Sequence, residues 1–256
     1  MHAPHCELAG LAADLLERVR RQAPRVHCIT NTVAQEFTAN VLLAAGAVPS
    51  MTTSADEIAA FVAGAGALLV NLGTFDAERR AASETGIAQA ARTGIPWVLD
   101  PVLIDRSESR AVFARSLVAK RPRAIRLNAA EFAALAGYEA EGGRIARYAG
   151  ENGVTVGLTG PIDLVSDGTR TASLANGDPR MAKITAMGCA ASALVAACLA
   201  VEDDAWRATV SGLTFLGVAG DLAGADAQGP GTLAVSLLDA LHRLDRETLL
   251  SRARIT

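Results

Sequence analysis

The chain has 256 residues, half of them apolar, and a formal net charge of −3 with no basic run. That much apolar material can bury a sizeable core. The charge balance and an aromatic share of only 4% argue against nucleic acid or an anionic membrane as a general partner, because the first needs basic patches and stacking rings and the second a basic face.

Leu8, Leu11, Leu15 and Val19 recur at helical spacing over residues 7–21, with Arg18, Arg20 and Arg21 in the last turn, where cations suit the helix dipole. Pro24 ends that helix, and Val26 to Ile29 reads as a strand closing on Thr30-Asn31-Thr32, a polar cluster suited to capping a helix over Val33 to Ala45. Ala47 to Thr52 is the next strand, and Ser54 and Glu57 stand at capping-box spacing ahead of a helix. Ala67 to Asn71 is a buried strand followed by Leu72-Gly73-Thr74 and a helix over Asp76 to Arg92. Trp97 to Leu99 is a strand ending at Asp100-Pro101, and a helix follows near Glu108 to Lys120. Arg123 to Leu127 is a strand, and Asn128-Ala129-Ala130-Glu131 opens another helix.

Apolar strands alternating with helices predict a parallel sheet covered on both faces. Ligands in such sheets bind outside the carboxyl ends of the strands. Thr30-Asn31, Met51, Asn71 to Gly73, Asp100 and Asn128 all fall at those predicted ends. Each alone is an ordinary cap; together they outline one rim.

Further on, Val154 to Leu158 is a strand ending in Thr159-Gly160, and Ile162 to Ser166 and Thr171 to Leu174 form a hairpin around Asp167-Gly168. Thr185-Ala186-Met187-Gly188 then leads into a small-residue apolar helix, and two more helices cover Trp206 to Leu222 and Thr232 to Leu244. A helix N-terminus approached by small residues is a candidate anion site, and Cys189 sits in its mouth. That setting can lower a thiol's pKa, so Cys189 reads as a base or a nucleophile, with plain packing as the bland alternative. With no internal repeat and no Pro/Ser-rich linker, residues 1–256 read as one domain.

The four cysteines, Cys6, Cys28, Cys189 and Cys198, form no C-x-x-C pair and no zinc spacing, and a shared metal on His2 and Cys6 is outweighed by fraying of the terminus. Glu7, Asp14 and Glu17 interrupt the N-terminal apolar pattern, which is unlike a signal peptide. The longest apolar run, about 188–201, is too short to span a bilayer. The expectation is a cytoplasmic protein.

In this order the chain resembles the ribokinase-like kinases, and within them the hydroxyethylthiazole kinase family. The segments that carry the resemblance include Val26-His-Cys-Ile-Thr-Asn31, Gly46-Ala-Val-Pro-Ser-Met51, Asn71-Leu-Gly-Thr74, Asp100-Pro-Val102, Arg126-Leu-Asn-Ala-Ala-Glu131, Leu158-Thr-Gly160 and Gly188-Cys189. The resemblance implies an α/β fold, a three-layer αβα sandwich with a mostly parallel central sheet. It implies transfer of the ATP γ-phosphate, with Mg²⁺, onto the hydroxyl of 4-methyl-5-(2-hydroxyethyl)thiazole. It places Met51, Asn31, Gly73 and Ala186 around the thiazole, Arg126, Thr159 and Gly188 on ATP, and Asp100 and Glu131 on the metal, directly or through water. Backbone amides of residues 186–189 form the anion hole, and Cys189 stands where related sugar kinases carry an aspartate base. A homotrimer is implied as well.

Some positions depart from the family pattern. Ala186 and Met187 precede Gly188-Cys189 where the family has Gly followed by Thr, Ala or Ser, and Leu103 and Leu127 replace glycines. Ser50, Thr52 and Thr53 surround Met51 where the family is more apolar, and Pro161 replaces a Glu. These changes leave two further readings open: a weakly catalytic ligand-binding homologue, or a kinase of another small heteroaromatic alcohol. Repair of hydrated nicotinamide cofactor is disfavoured by Met51 and the Thr30-Asn31 segment.

Overall fold

The structure, a computed structural model, describes residues 4–256, so the side chains of His2 and Cys6 lie outside the described residues. The strands are β1 (Arg25–Ile29), β2 (Val48–Ser50), β3 (Ala67–Asn71), β4 (Trp97–Asp100), β5 (Ala124–Asn128), β6 (Thr155–Thr159), β7 (Asp163–Ser166) and β8 (Thr171–Leu174). The first seven helices are α1 (Pro4–Gln22), α2 (Gln35–Ala45), α3 (Ile58–Ala63), α4 (Ala77–Thr93), α5 (Glu108–Val118), α6 (Ala129–Ala136) and α7 (Gly142–Asn152). The last four are α8 (Met187–Leu199), α9 (Ala205–Asp226), α10 (Pro230–Arg243) and α11 (Arg246–Arg252).

The strands form one sheet in the order β2-β1-β3-β4-β5-β6-β7-β8, parallel through β6 and antiparallel at β7 and β8. The chain runs outward from β1 to β2 and then returns to the other side of β1 for β3. The connections after β1 and β3 therefore diverge. Val41, Leu42 and Ala45 of α2 join the core on one face, and Ala82, Ile87 and Ala90 of α4 join the core on the other. Diverging connections open a crevice at the carboxyl ends of β1 and β3, where such sheets take ligands.

Helix α8 lies over that crevice. Residues Cys189 to Leu199 are all buried, and the run of alanines lets the helix sit close to β1, β3 and β4. Helix α9 covers it from outside, crossing at Gly212, where a Cβ would stand 2.8 Å from the Val195 amide nitrogen. Phe215 on this side and Phe132 on the other are almost fully buried, and each such ring stabilises the fold by about 2–3 kcal/mol. With 22 residues and its apolar composition α9 is long enough to cross a bilayer, but 72% of its most apolar window is buried inside the protein, as in a core helix.

Most predicted elements appear within a few residues of their expected bounds. The Ser54–Glu57 capping box does not form: the Thr52 hydroxyl donates to Glu57 at 2.8 Å and accepts the Ser54 amide at 3.2 Å, which takes the Glu57 carboxylate away from a cap. The sequence reading assigned no element to α7 or α11. Gly142 and Gly143 open α7 and hide its start.

Candidate active site

Six strand ends deliver the rim. Asn71 and Asp100 are neighbours in the register of β3 and β4, as are Asn128 and Thr159 in that of β5 and β6. Asn31 follows β1, and Met51 follows β2. Opposite them stands the N-terminus of α8, with Cys189 as its third residue.

A polar network joins these parts. Asn31 Nδ2 donates to Asn71 Oδ1 at 3.2 Å and lies 3.4 Å from Cys189 Sγ. Asn71 Nδ2 donates to Asp100 Oδ2 at 2.7 Å and lies 3.2 Å from the same sulfur. The Gly73 amide donates to Asn71 Oδ1 at 3.0 Å, and the Ser192 hydroxyl donates to Asp100 Oδ2 at 2.9 Å. A Cβ on Gly73 would stand 2.7 Å from the Asn31 Cβ and Nδ2, so only glycine lets this turn approach so closely. Sequence reasoning placed Asn71 on the rim without a role and missed Ser192. The available signal for Ser192 was its spacing three residues after Cys189, which puts both on one face of α8.

A second polar group is built around Arg126. Its Nη2 bonds the Thr159 hydroxyl, its buried Nε has no partner, and its guanidinium crowds Gly188, where a Cβ would have no room. An orphaned donor on a rigid fork fits an anionic oxygen. Nearby, Asp163 accepts the Gly160 amide at 2.9 Å and faces the field of Arg126. Burial pushes its carboxyl up to about 6, against the Gly160 bond and Arg126.

Asp100 is fully buried. Burial raises its carboxyl to about 6 and Glu131 adds to the rise, while Arg126, Ser192 and Asn71 oppose it. Its Oδ1 has no protein partner. A buried, unpaired carboxylate oxygen suits Mg²⁺, which keeps water and takes only one or two protein carboxylates. Among the described residues no group of three acidic, His or Cys side chains could hold an ion by itself. Glu131 is committed differently. Its Oε2 accepts the Asn128 amide at 2.9 Å in the capping box of α6, and its Oε1 accepts the Leu103 amide at 3.0 Å. Both oxygens of Glu131 are thus bonded to backbone amides.

Burial pushes the Cys189 thiol up to about 12, with Asp100 adding to the rise; Asn31, Asn71 and Arg126 offset it only in part. Burial and the neighbouring Asp100 carboxylate thus act against the lowered pKa expected for a thiol at a helix N-terminus.

The departures around the site sort into two kinds. Ala186 has φ 70° and Leu103 φ 56°, so both hold the left-handed conformation that glycine adopts freely. The others are structural. Met187 packs against the apolar core. The Ser50 hydroxyl meets His27 Nδ1 at 2.8 Å, Thr52 bonds Glu57, and Thr53 bonds Glu78 at 2.8 Å. The three hydroxyls beside Met51 thus have protein partners. Fully buried His27 also contacts the Thr52 carbonyl through Nε2 at 3.0 Å. That oxygen can only accept, so Nε2 carries the proton and Nδ1 accepts from Ser50. His27 thereby holds the Ser50 side chain and the Thr52 backbone, on either side of Met51.

The Hydroxyethylthiazole kinase family model matches residues 16–247. A probable hydroxyethylthiazole kinase of Agrobacterium fabrum is 46% identical over 247 residues, covering 96% of this chain and 95% of its own. A hydroxyethylthiazole kinase of Cronobacter sakazakii is 42% identical over 245 residues, covering 90% and 92%. The solved structure of a hydroxyethylthiazole kinase protein from Pyrococcus horikoshii superposes with a TM-score of 0.91 at 34% identity, over 96% of this chain and 98% of that one. A pyridoxal kinase of Bacillus subtilis shares the fold at a TM-score of 0.58 and 16% identity. With a family model spanning most of its length and full-length relatives above 40% identity, the chain belongs to the hydroxyethylthiazole kinase family.

Proposed function

We propose that the protein transfers the γ-phosphoryl group of ATP to the hydroxyl of 4-methyl-5-(2-hydroxyethyl)thiazole, and that the whole chain serves as one kinase domain. The observation that carries the reading is the meeting of Asn31, Asn71, Asp100 and Cys189 at the N-terminus of α8, with Arg126 and Thr159 beside it.

Met51, Asn31 and Gly73 line the side taken by the thiazole, with the substrate hydroxyl directed at Cys189. Arg126 and Thr159 hold ATP phosphates, and the amides at the start of α8 face the transferring group. Each such donor contributes roughly 3–4 kcal/mol in the transition state. Asp100 Oδ1 would hold Mg²⁺, with Glu131 acting through water; when bound, the ion would supply positive charge that stabilises the transferring phosphoryl group. The alcohol oxygen forms a bond to the γ-phosphorus as the bond to the β-phosphate oxygen breaks, and ADP leaves. A thiol this hard to ionise keeps its proton; with its sulfur accepting from Asn31 and Asn71, it orients the alcohol through its S–H. The alcohol proton passes late to a phosphoryl oxygen, as a loose transition state permits.

The exposed apolar side chains Val33, Leu43, Val48 and Phe61 support the homotrimer implied by resemblance, and light scattering on the purified protein tests it.

The activity is tested by ADP release with ATP, Mg²⁺ and the thiazole alcohol, for the wild type and for Cys189→Ala. Thiazole-dependent release that drops in the variant supports the reading. Release with another alcohol alone would reassign the substrate, and ATP binding without release would leave a binding protein.

A further inference from the structure

Asn71 uses all four of its hydrogen-bonding positions, and each partner belongs to a different part of the site. Its amide orientation is set by its surroundings. The Gly73 amide is a donor only, so the atom 3.0 Å from it is Oδ1. The other atom is then Nδ2, and its two N–H groups reach Asp100 Oδ2 and Cys189 Sγ. The side chain is almost fully buried, so no water can replace a lost partner cheaply.

Asp100 Oδ2 receives Asn71 and Ser192 together. Two donors on one oxygen prevent the carboxylate from turning, and the unpaired oxygen is always Oδ1. The same amide holds the sulfur and, through Oδ1, the Gly73 turn and Asn31. We propose that Asn71 is a positioning residue that locks the metal-facing oxygen of Asp100, the Cys189 sulfur and the alcohol-side turn into one register, and that Ser192 shares only the Asp100 part of that task.

The inference rests on the kinase reading for its meaning, but its test does not depend on turnover. Asn71→Asp keeps the shape of the side chain and removes both N–H donors; the carboxylate pair it makes with buried Asp100 shares a proton, so the sulfur loses its donor without a simple gain of charge. Ser192→Ala removes one donor to Asp100 and none to the sulfur; its hydroxyl otherwise bonds only the Gly188 carbonyl, at 3.2 Å. Two readouts separate them. The first is the rate of Cys189 alkylation by iodoacetamide against pH, followed by peptide mass spectrometry. The second is Mn²⁺ binding in the presence of ADP, followed by electron paramagnetic resonance.

Asn71→Asp is expected to slow Cys189 alkylation at pH 8 by about threefold or more, since the sulfur loses an N–H donor that favours the thiolate. It is also expected to shift the Mn²⁺ midpoint. Ser192→Ala is expected to shift the Mn²⁺ midpoint several-fold and leave the alkylation profile at wild type. Circular dichroism at each pH checks that both variants are folded; should Asn71→Asp unfold, Asn71→Ser replaces it, with the same Mn²⁺ shift expected. The proposal is overturned if the folded Asn71 variant leaves the Mn²⁺ midpoint unchanged, if Asn71→Asp leaves the alkylation profile at wild type, if Ser192→Ala moves both readouts equally, or if the wild type binds no Mn²⁺. A wild type that shows the expected pattern but releases no ADP refutes the kinase reading and sustains this one.

Discussion

Gly73→Ala tests whether the closeness of the Gly73 turn to Asn31 sets the alcohol side of the site. A methyl there would stand 2.7 Å from two Asn31 atoms and 3.0 Å from a third, where ordinary contact begins at 3.4 Å. Asn31 must retreat by about 0.7 Å. It has little freedom to do so, because Oδ1 accepts the Ala34 amide at 3.0 Å while Nδ2 is held at 3.2 Å from Asn71 and 3.4 Å from Cys189. Overpacking costs about 1–3 kcal/mol and one lost hydrogen bond about 1 more. At about 2–4 °C per kcal/mol for a protein of this size, the melting temperature should fall by roughly 4–16 °C. Misplacing a substrate group by about 1 Å can cost about 100-fold, so kcat/KM for the alcohol should fall about 10–100-fold. Arg126 and Thr159 are untouched, so KM for ATP should stay within about twofold of wild type. Steady-state ADP release with each substrate varied, beside thermal melts, measures all three. Wild-type kcat/KM for the alcohol in a variant of unchanged melting temperature would refute the reasoning.

Two other substitutions separate stability from function. The Asp100 carboxyl is raised from its ordinary 3.8 to about 6, so the folded protein holds that proton more tightly than the unfolded chain. The stabilisation from proton uptake is fully present below about pH 4 and lost as pH rises through about 6, leaving the ionised carboxylate to cost about 3 kcal/mol above that. Asp100→Asn should therefore unfold at higher urea than wild type at pH 8, with the difference shrinking at pH 4. It should also abolish ADP release and the Mg²⁺-induced rise in melting temperature at pH 8; urea melts in which the variant is less stable at pH 8 would count against the sign. Ala186→Gly relieves a left-handed alanine of φ 70°. About 1 kcal/mol of stability, or roughly 2–4 °C in melting temperature, is expected with no loss of kcat; a lower melting temperature would mean that the strain is compensated locally.

The parallel sheet and its rim were legible because they are local. Apolar strands read in runs of a few residues, and the Asn128–Glu131 capping box lies within one turn. What escaped depends on neighbours distant in sequence. The Ser54–Glu57 box lost to Thr52, whose hydroxyl is better placed for the same carboxylate. The thiol's pKa follows from burial and from Asp100, a residue 89 positions earlier that β4 brings beneath α8. Asn71 looked like one strand-end cap among several until β1, β3, β4 and α8 supplied its four partners.

The same distinction explains why the departures from the family pattern carry unequal weight. Read along the chain, the polar residues beside Met51 suggest a reshaped pocket. In space their hydroxyls are bonded to His27, Glu57 and Glu78, and the polarity stays in the wall. Ala186 and Leu103 behave oppositely. They look like minor losses of glycine, yet both keep the backbone that glycine would take, at φ 70° and 56°. A left-handed non-glycine residue costs of order 1–3 kcal/mol and persists only where its surroundings enforce it. Leu103 is enforced by its amide bond to Glu131 and by Arg110, whose guanidinium bonds the Val102 carbonyl at 2.9 Å. Ala186 ends the approach to α8, whose first turn must face the crevice. Strain at these two positions, one beside Glu131 and one at the start of α8, means that the shape of the site is imposed by the sheet and α8. The loops adopt it at a cost.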